Sequence, residues 1–250
     1  MSGAASATPH APDGLTHAAL LSKLCSPSSS SSDRLIAAHR LNEAFASCAS
    51  LRDAEQLARQ LCTDALCHAL VRLAADADEL SELSLHLMIN LTAHAHAHAR
   101  LAAAGVLPVL VACVRLAEPH VQLPGLALLS LLAEEPPLIP ALLRAGVCKL
   151  IANLCTRLDA RDVHWLLEIA EAVLEAPQTL RPEHSQQLLQ ALQPMAQEGA
   201  RERLGDRDAR RLSRVLGLLA VTTTAVPKHL VQSAKSSHSM PVPAAPLAWS

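Results

Sequence analysis

Apolar residues recur at helical spacing along most of the chain, in segments that short polar breaks separate. Two of these segments, AAAGVLPVLVACV (102–114) and LRAGVCKLIANLC (143–155), carry Gly105 and Gly146 at a distance of 41 residues. The same interval, counted backwards, reaches Asp64 in the similar segment LCTDALCHALVRL. A fixed period of roughly 20–50 residues is the mark of stacked repeats, so the chain is predicted to be a repeat array.

A second helical pattern follows each of these segments across a short break. The predicted second helices cover 33–49, 77–93, 121–135 and 160–176, and a last, more divergent pair covers 182–198 and 206–221. Acidic side chains are predicted to cap three of the helix starts, namely Asp33, then Asp76 or Asp78, then Asp159 or Asp162.

Proline and serine mark the remaining boundaries. Pro124 is predicted in the first turn of its helix, where a missing N–H is harmless, and Pro177 is predicted to end the following helix. The serine run Ser26–Ser32 is interpreted as a loop between two helices.

A pair of amphipathic helices cannot bury its apolar face alone, whereas stacked pairs share one continuous core. The sequence therefore predicts an all-α solenoid of about four to five helical repeats over 14–221. The predicted units are about 14–50, 51–93, 94–135, 136–177 and 178–221. The ends, 1–13 and 222–250, are rich in Ser, Pro and Ala and are predicted to be disordered.

Composition supports this architecture and limits the classes of partner that the protein is expected to bind. Half of the residues are hydrophobic but only 1% are aromatic, so Leu, Ala, Val and Ile must build the core, and Leu and Ala favour helix. A net charge of −2 argues against a general nucleic-acid binder, which needs a basic surface. The shortage of aromatic side chains also removes stacking platforms for single strands.

The cysteines and the apolar runs bear on the compartment. Seven cysteines occur without a CxxC motif, which is typical of free thiols in a reducing compartment. The start of the chain lacks a basic segment followed by an apolar one, and the longest apolar run, 101–114, is too short to span a bilayer. We therefore expect a cytoplasmic protein with no membrane segment.

The segment LSLHLMINLTAHAHAHARLAAAGVLPVLVACV (83–114), echoed over 126–155, resembles the armadillo repeat family. Members have a long third helix that ends in Asn-Leu, a short first helix, and a Gly that turns the chain into an apolar second helix. Asn90-Leu91 fits the helix end, while Gly105 and Gly146 fit the turn. The resemblance implies a right-handed armadillo-like α-solenoid, and the related HEAT-type repeats remain an alternative.

The resemblance also implies a binding site for another protein or a peptide segment. In members that bind extended peptides, Asn side chains near the ends of the third helices form a ladder along a concave groove, often with Trp one turn earlier. Here Asn90 matches, while Ser130 and Glu171 occupy the equivalent places and His86 stands in place of Trp. With His164, these residues are the predicted groove positions.

Two charge stripes lie towards the C-terminal end of the predicted array. Glu168, Glu171 and Glu175 share one helix face, and Arg207, Arg210 or Arg211, and Arg214 share a face of the last helix. A solvated face is the simplest interpretation of each. The alternative is a charged partner surface at that end of the groove, which adds Arg210 and Arg214 to the predicted groove positions.

The run AHAHAHA contains three histidines, of which His94 and His98 would share a helix face while His96 points away. His94 and His98 are therefore candidate metal ligands. The repeat register places them in the connection between two units, and an exposed run without a role is the simpler interpretation.

Sequence signatures of catalysis such as GxSxG, HExxH and phosphate-binding glycine loops are absent, so we expect no enzyme and no cofactor. The sequence predicts a protein–protein interaction module, an adaptor, scaffold or assembly subunit, that is a monomer or part of a hetero-complex. Two alternatives stay open: a chaperone cofactor of the armadillo-type nucleotide-exchange class, and a His-rich metal-binding protein.

Overall fold

A computed structural model describes residues 16–76, 79–116, 118–157, 162–176, 180–197 and 204–224, and it shows helices and turns without strands in these ranges. The α-helices are α1 (His17–Cys25), α2 (Ser31–Ala46), α3 (Leu51–Leu61), α4 (Asp64–Ala74), α5 (Glu79–Leu91), α6 (Ala97–Ala103), α7 (Val106–Leu116), α8 (Pro119–Ala133), α9 (Ile139–Ala145), α10 (Val147–Leu154), α11 (Val163–Glu175), α12 (Pro182–Leu192) and α13 (Asp206–Thr224). Short 3-10 turns cover Pro136–Leu138 and Gln193–Ala196.

The helices stack in two layers. In the first, which we call the long-helix layer, α2, α5, α8, α11 and α13 contact one another in chain order. In the second layer, α1, α4, α7, α10 and α12 do the same, and each packs against the long helix that follows it in the unit. The short helices α3, α6 and α9 lie at the corners between units. This arrangement is an all-α solenoid, which confirms the predicted fold class.

One apolar core runs through the whole stack. It extends from Leu20 in α1 to Leu219 in α13 without a break, and Leu supplies most of the fully buried side chains. Phe45 is the one phenylalanine of the chain and contributes to the core at 7% exposure. Full burial of a Leu side chain is worth about 1.5–3 kcal/mol, so the array is held mainly by aliphatic packing between neighbouring units.

Two glycines make the sharp turns between short helices. Gly105 joins α6 to α7 with φ of 85°, and Gly146 joins α9 to α10 with φ of 92°. Side chains other than Gly are strained in this left-handed region, so these glycines explain the 41-residue register from which the repeats were predicted.

The start of α2 differs from the prediction. Ser30, and not Asp33, is the N-cap: its hydroxyl oxygen accepts a hydrogen bond from the Asp33 N–H at 3.0 Å and donates to Asp33 Oδ2 at 2.7 Å. The predicted loop over Ser26–Ser32 is therefore wrong in its last two residues, which are helical. Serine is one of the best residues for this cap, and Asp33 supplies the acidic partner three positions later.

Pro124 lies in the body of α8 and not in its first turn, because the helix begins at Pro119. Pro119 takes the early position where a missing N–H costs nothing. The next residue, Gly125, lets α7 approach closely: a Cβ atom there would lie 2.5 Å from Val114 Cγ2.

The remaining boundaries agree less closely with the sequence. Asp162 stands at the N-cap of α11 without a capping hydrogen bond from its side chain, α12 ends at Leu192, and α13 continues to Thr224. Asp76 lies in the turn after α4. Residues 1–13, Asp78, Asp159, Pro177 and 225–250 lie outside the described residues, and the exact division into units stays a prediction.

The two helices at the ends of the long-helix layer expose mainly polar side chains. In α2 these include His39 and Glu43, with Ile36 as an apolar exception at 51% exposure. In α13 they include Arg210 and Ser213. Polar terminal faces are what a repeat array needs in order to end in water.

Candidate functional site

The exposed side of the long-helix layer, which we call the long-helix face, is the candidate binding surface. Its residues recur at helical spacing on consecutive helices. They are Glu82, His86 and Asn90 on α5, Leu123, Ala127 and Leu131 on α8 with Glu134 directly after it, and His164, Glu168 and Glu171 on α11. The structure thus places His86, Asn90, His164 and Glu171 on one face, while Ser130 lies beneath it at 3% exposure.

An amide pair joins α2 to α5 at the N-terminal end of this face. Asn90 Nδ2 donates to Asn42 Oδ1 at 3.0 Å. Asn42 Nδ2 in turn donates to the carbonyl oxygens of Ala38, at 3.2 Å, and of Leu83, at 3.0 Å. Carbonyl oxygens can only accept hydrogen bonds, so the nitrogen of the Asn42 amide must face them. This fixes the orientation of the amide.

This chain of hydrogen bonds uses only part of the hydrogen-bonding capacity of the Asn90 amide. Since Asn42 must offer its oxygen, Asn90 must offer its nitrogen, and the Asn90 Oδ1 atom and second N–H have no partner in the described part of the chain. Asn90 is half-buried, so one acceptor and one donor face the surface. The sequence did not predict a role for Asn42. The repeat register was the available signal, because Asn42 precedes Leu83, whose carbonyl it contacts, by 41 residues.

The two histidines predicted for this face have different surroundings. The His86 side chain is 48% exposed, and its Nε2 atom lies 3.8 Å from Glu82 Oε1. His164 packs against Trp165 with ring centroids 4.2 Å apart and the planes tilted by 40°. His86 is therefore the more accessible of the two.

A network of charged side chains joins α8, α11 and α13 at the C-terminal end of the face. Ser130 Oγ donates to Glu168 Oε2 at 2.9 Å. Arg211 bridges two glutamates, with Nη1 donating to Glu168 Oε1 at 2.6 Å and Nε donating to Glu171 Oε2 at 3.0 Å. Burial alone would lower the pKa of Arg211, but hydrogen bonds and charges from these glutamates raise it.

Arg214 extends the network. It bridges Glu171 Oε1, at 2.9 Å from Nη1, and Glu175 Oε1, at 2.5 Å from Nη2. Arg210 lies outside the network and donates from Nε to the Asp206 carbonyl at 3.2 Å. The sequence left Arg210 and Arg211 as alternatives for the basic stripe, and the structure brings Arg211 to Glu171. Both carboxylate oxygens of Glu168 and of Glu171 therefore have partners within the chain.

A depression of about 570 Å³ lies beside this network. Ala133, Ile139 and Ala172 are among its apolar residues, while Glu134 and Arg207 are among the charged ones.

The histidine run differs from the prediction of an exposed segment. His94 is only 9% exposed, in the turn between α5 and α6, and its buried Nδ1 atom has no hydrogen-bond partner among the described residues. The His98 ring is also mostly buried, with Nδ1 3.0 Å from Glu135 Oε1. His96 is exposed and meets His94 edge-on, with centroids 5.3 Å apart. Across the described ranges, no three His, Cys, Asp or Glu side chains converge as metal ligands do.

The seven cysteines are unpaired thiols. Burial raises the pKa of Cys148 to about 11 and that of Cys155 to about 12. A hydrogen bond with Cys67 lowers the pKa of Cys62 to about 7, yet the Cys62 side chain is only 1% exposed. These thiols pack as small apolar groups.

In the part of the chain that the structure describes, each helix taken singly is too short or too polar to cross a membrane.

Solved structures with similar folds are repeat proteins. No protein-family model and no curated protein matches the sequence. A designed armadillo repeat protein matches at TM-score 0.60 and 16% identity, over 88% of this chain and 87% of that one. Armadillo repeat proteins designed computationally for modular peptide recognition match at TM-score 0.65 and 19% identity, over 80% and 82%.

A third designed armadillo repeat protein, solved in complex with the peptide (KR)4, matches at TM-score 0.51 and 15% identity, over 86% of this chain and 95% of that one. The protein therefore has an armadillo-like repeat fold, as the sequence predicted. At these identities the likeness defines the fold and not a ligand.

Proposed function

We propose that the protein is a non-enzymatic interaction module that binds an extended segment of another protein along the long-helix face. The proposal includes the roles of adaptor, scaffold or assembly subunit, each of which needs a rigid surface and no chemistry. Stacked helices provide such a surface before the partner arrives, so little ordering cost opposes binding.

The observation that carries the proposal is the half-used amide of Asn90. Its free oxygen and second N–H match the N–H and C=O that an extended backbone presents. Asn42 holds the amide in one orientation, so the donor and the acceptor are fixed before binding. His86, one turn earlier and exposed, would contact the side chain of the bound segment.

The bound segment would continue over α8, whose surface stripe of Leu123, Ala127 and Leu131 is apolar and half-buried. It would then reach the depression of about 570 Å³ next to Glu134. Because Glu168 and Glu171 are already paired, we assign affinity to the amide and apolar parts of the face, and only a secondary role to charge.

Binding measurements with single variants test this proposal. The partner would be captured with the wild-type chain, purified, and titrated against N90A. We expect N90A to weaken binding about fivefold to tenfold, since each lost hydrogen bond is worth roughly 1 kcal/mol.

The matched control is N153A, which removes an exposed asparagine from α10 in the second layer and should leave affinity unchanged. Equal affinities for wild type and N90A, with N90A correctly folded, would contradict the assignment to this face.

A further inference from the structure

Two largely buried imidazoles, His94 and His98, lie near the corner that joins α5 to α6. His94 has a buried Nδ1 atom without a partner, and His98 has a buried Nε2 atom in the same condition within the described residues. Buried polar atoms are almost always hydrogen-bonded, so two such atoms four residues apart call for an explanation.

The neutral state of His94 explains its burial. Burial of a neutral imidazole with one unpaired nitrogen costs a modest amount of free energy, whereas burial of a charged imidazole without a partner costs far more. The charged groups that face His94 are Arg59 and Glu55 of α3, Arg100 of α6, and His96 in the same turn. Glu55 is already paired with Arg59 at 2.8 Å, so the surroundings oppose a positive charge.

The same corner carries the contacts that attach α6 to its neighbours. Arg100 Nη1 donates to the Cys62 carbonyl at the end of α3, and Arg100 Nε lies 3.6 Å from Asp64 Oδ1 at the start of α4. Ala97 and Leu101 are fully buried. Displacement of the 92–96 turn would therefore release α6 from the α3–α4 corner, while leaving the long-helix layer stacked.

We propose that this corner is a pH-sensitive joint: protonation of His94 expels its ring into water and releases the segment 92–103 from the array. The joint does not depend on the identity of any partner. The His98–Glu135 contact, at 3.0 Å, lies within this segment and joins α6 to the turn after α8, so it must break when the segment opens.

The direction of the pH effect follows from the surroundings of His94. Burial first, and then the charges of His96, Arg59 and Arg100, hold the pKa of His94 below that of a free imidazole. The closed corner is therefore fully stable above the pKa of the free side chain, and this stability is lost as the pH falls through the lowered pKa.

Hydrogen–deuterium exchange of the full chain, read by mass spectrometry at pH 7.4 and pH 5.5, tests the joint. After correction for intrinsic exchange, we expect peptides within 92–104 to exchange faster at the lower pH, while peptides of α10 stay unchanged. H94N should abolish the response, because Asn does not titrate in this range. H120N, at an exposed histidine of α8, should retain it.

An unchanged 92–104 segment in the wild type would overturn the proposal, as would a response that H94N keeps. A second readout covers the case in which H94N fails to fold. Deuterium exchange at the imidazole Cε1 atom reports the pKa of each histidine in the wild-type chain. His94 should titrate below the exposed His120, and equal or higher titration would overturn the proposal.

Discussion

The two ends of the long-helix face join their helices in different ways. Between α2 and α5 the link is a pair of uncharged amides, Asn42 and Asn90, anchored on backbone carbonyls. Between α11 and α13 it is a ladder in which Arg211 and Arg214 bridge three glutamates. The amide link leaves a donor and an acceptor free, whereas the charged link uses most of its groups internally.

The difference follows from the sequences of the terminal repeats. The last helix, α13, carries five arginines and aspartates in its first six residues and is the less apolar partner of α11. Charge pairs therefore supplement aliphatic packing where α13 joins the array. In the N-terminal half, α5 lacks the dense charge of α13, and its link to α2 is made by aliphatic packing and the uncharged amide pair. Under the proposed function, similar positions in different repeats would have a structural role in one and a binding role in another.

The largest expected effect comes from removing Arg211. The R211A variant leaves Glu168 and Glu171 without their bridge, although their side chains are only 22% and 14% exposed. Other side chains still contact both carboxylates, but each carboxylate loses one charge-assisted hydrogen bond, which together should lower the free energy of unfolding by about 2 kcal/mol. Urea denaturation followed by circular dichroism measures this loss. R210A removes an exposed arginine of the same helix and should change stability by less than about 0.5 kcal/mol.

A smaller effect is expected at the amide link. N42A removes the hydrogen bonds of Asn42 to the Leu83 carbonyl and to the Asn90 amide, which should cost about 1 kcal/mol because neutral groups lose less than charged ones. The same denaturation experiment applies, with N153A as the exposed control. If N42A lowered the free energy of unfolding by more than R211A does, the proposed difference between the two ends would be contradicted.

The smallest expected effect is a difference between the two links in their response to salt. Arg214 and Glu175 are 62% and 50% exposed, so salt should screen their attraction, whereas the amide pair carries no charge. Between low salt and 1 M NaCl, amide exchange in α13 should rise about twofold to fivefold relative to α2. Equal responses in the two helices would show that charge does not distinguish them.

The fold could be predicted because the positions that determine it are local. The Gly105 and Gly146 turns need a left-handed backbone, and the apolar spacing needs a helix, so both leave a signal in the sequence. The helix starts were harder to place, because a serine run offers several possible caps and the prediction chose Asp33 over Ser30.

The site could be predicted only in part, because pairing between units depends on tertiary contacts. Periodicity placed Asn90 and Glu171 on the long-helix face. It could not show that Arg211 and Arg214 each bind one carboxylate oxygen of Glu171. It also could not show that His94 is buried, since the Ala-His alternation carries no helical pattern. The assignment of groove residues therefore stays a prediction until binding is measured.

Site-specific photocrosslinking tests the central claim most directly. A photoreactive amino acid would replace His86 on the long-helix face or, as the matched control, His68, which is exposed on α4 in the second layer. The account predicts that the same purified partner crosslinks efficiently from position 86 and at background level from position 68. Efficient crosslinking from position 68 with none from position 86 would contradict it.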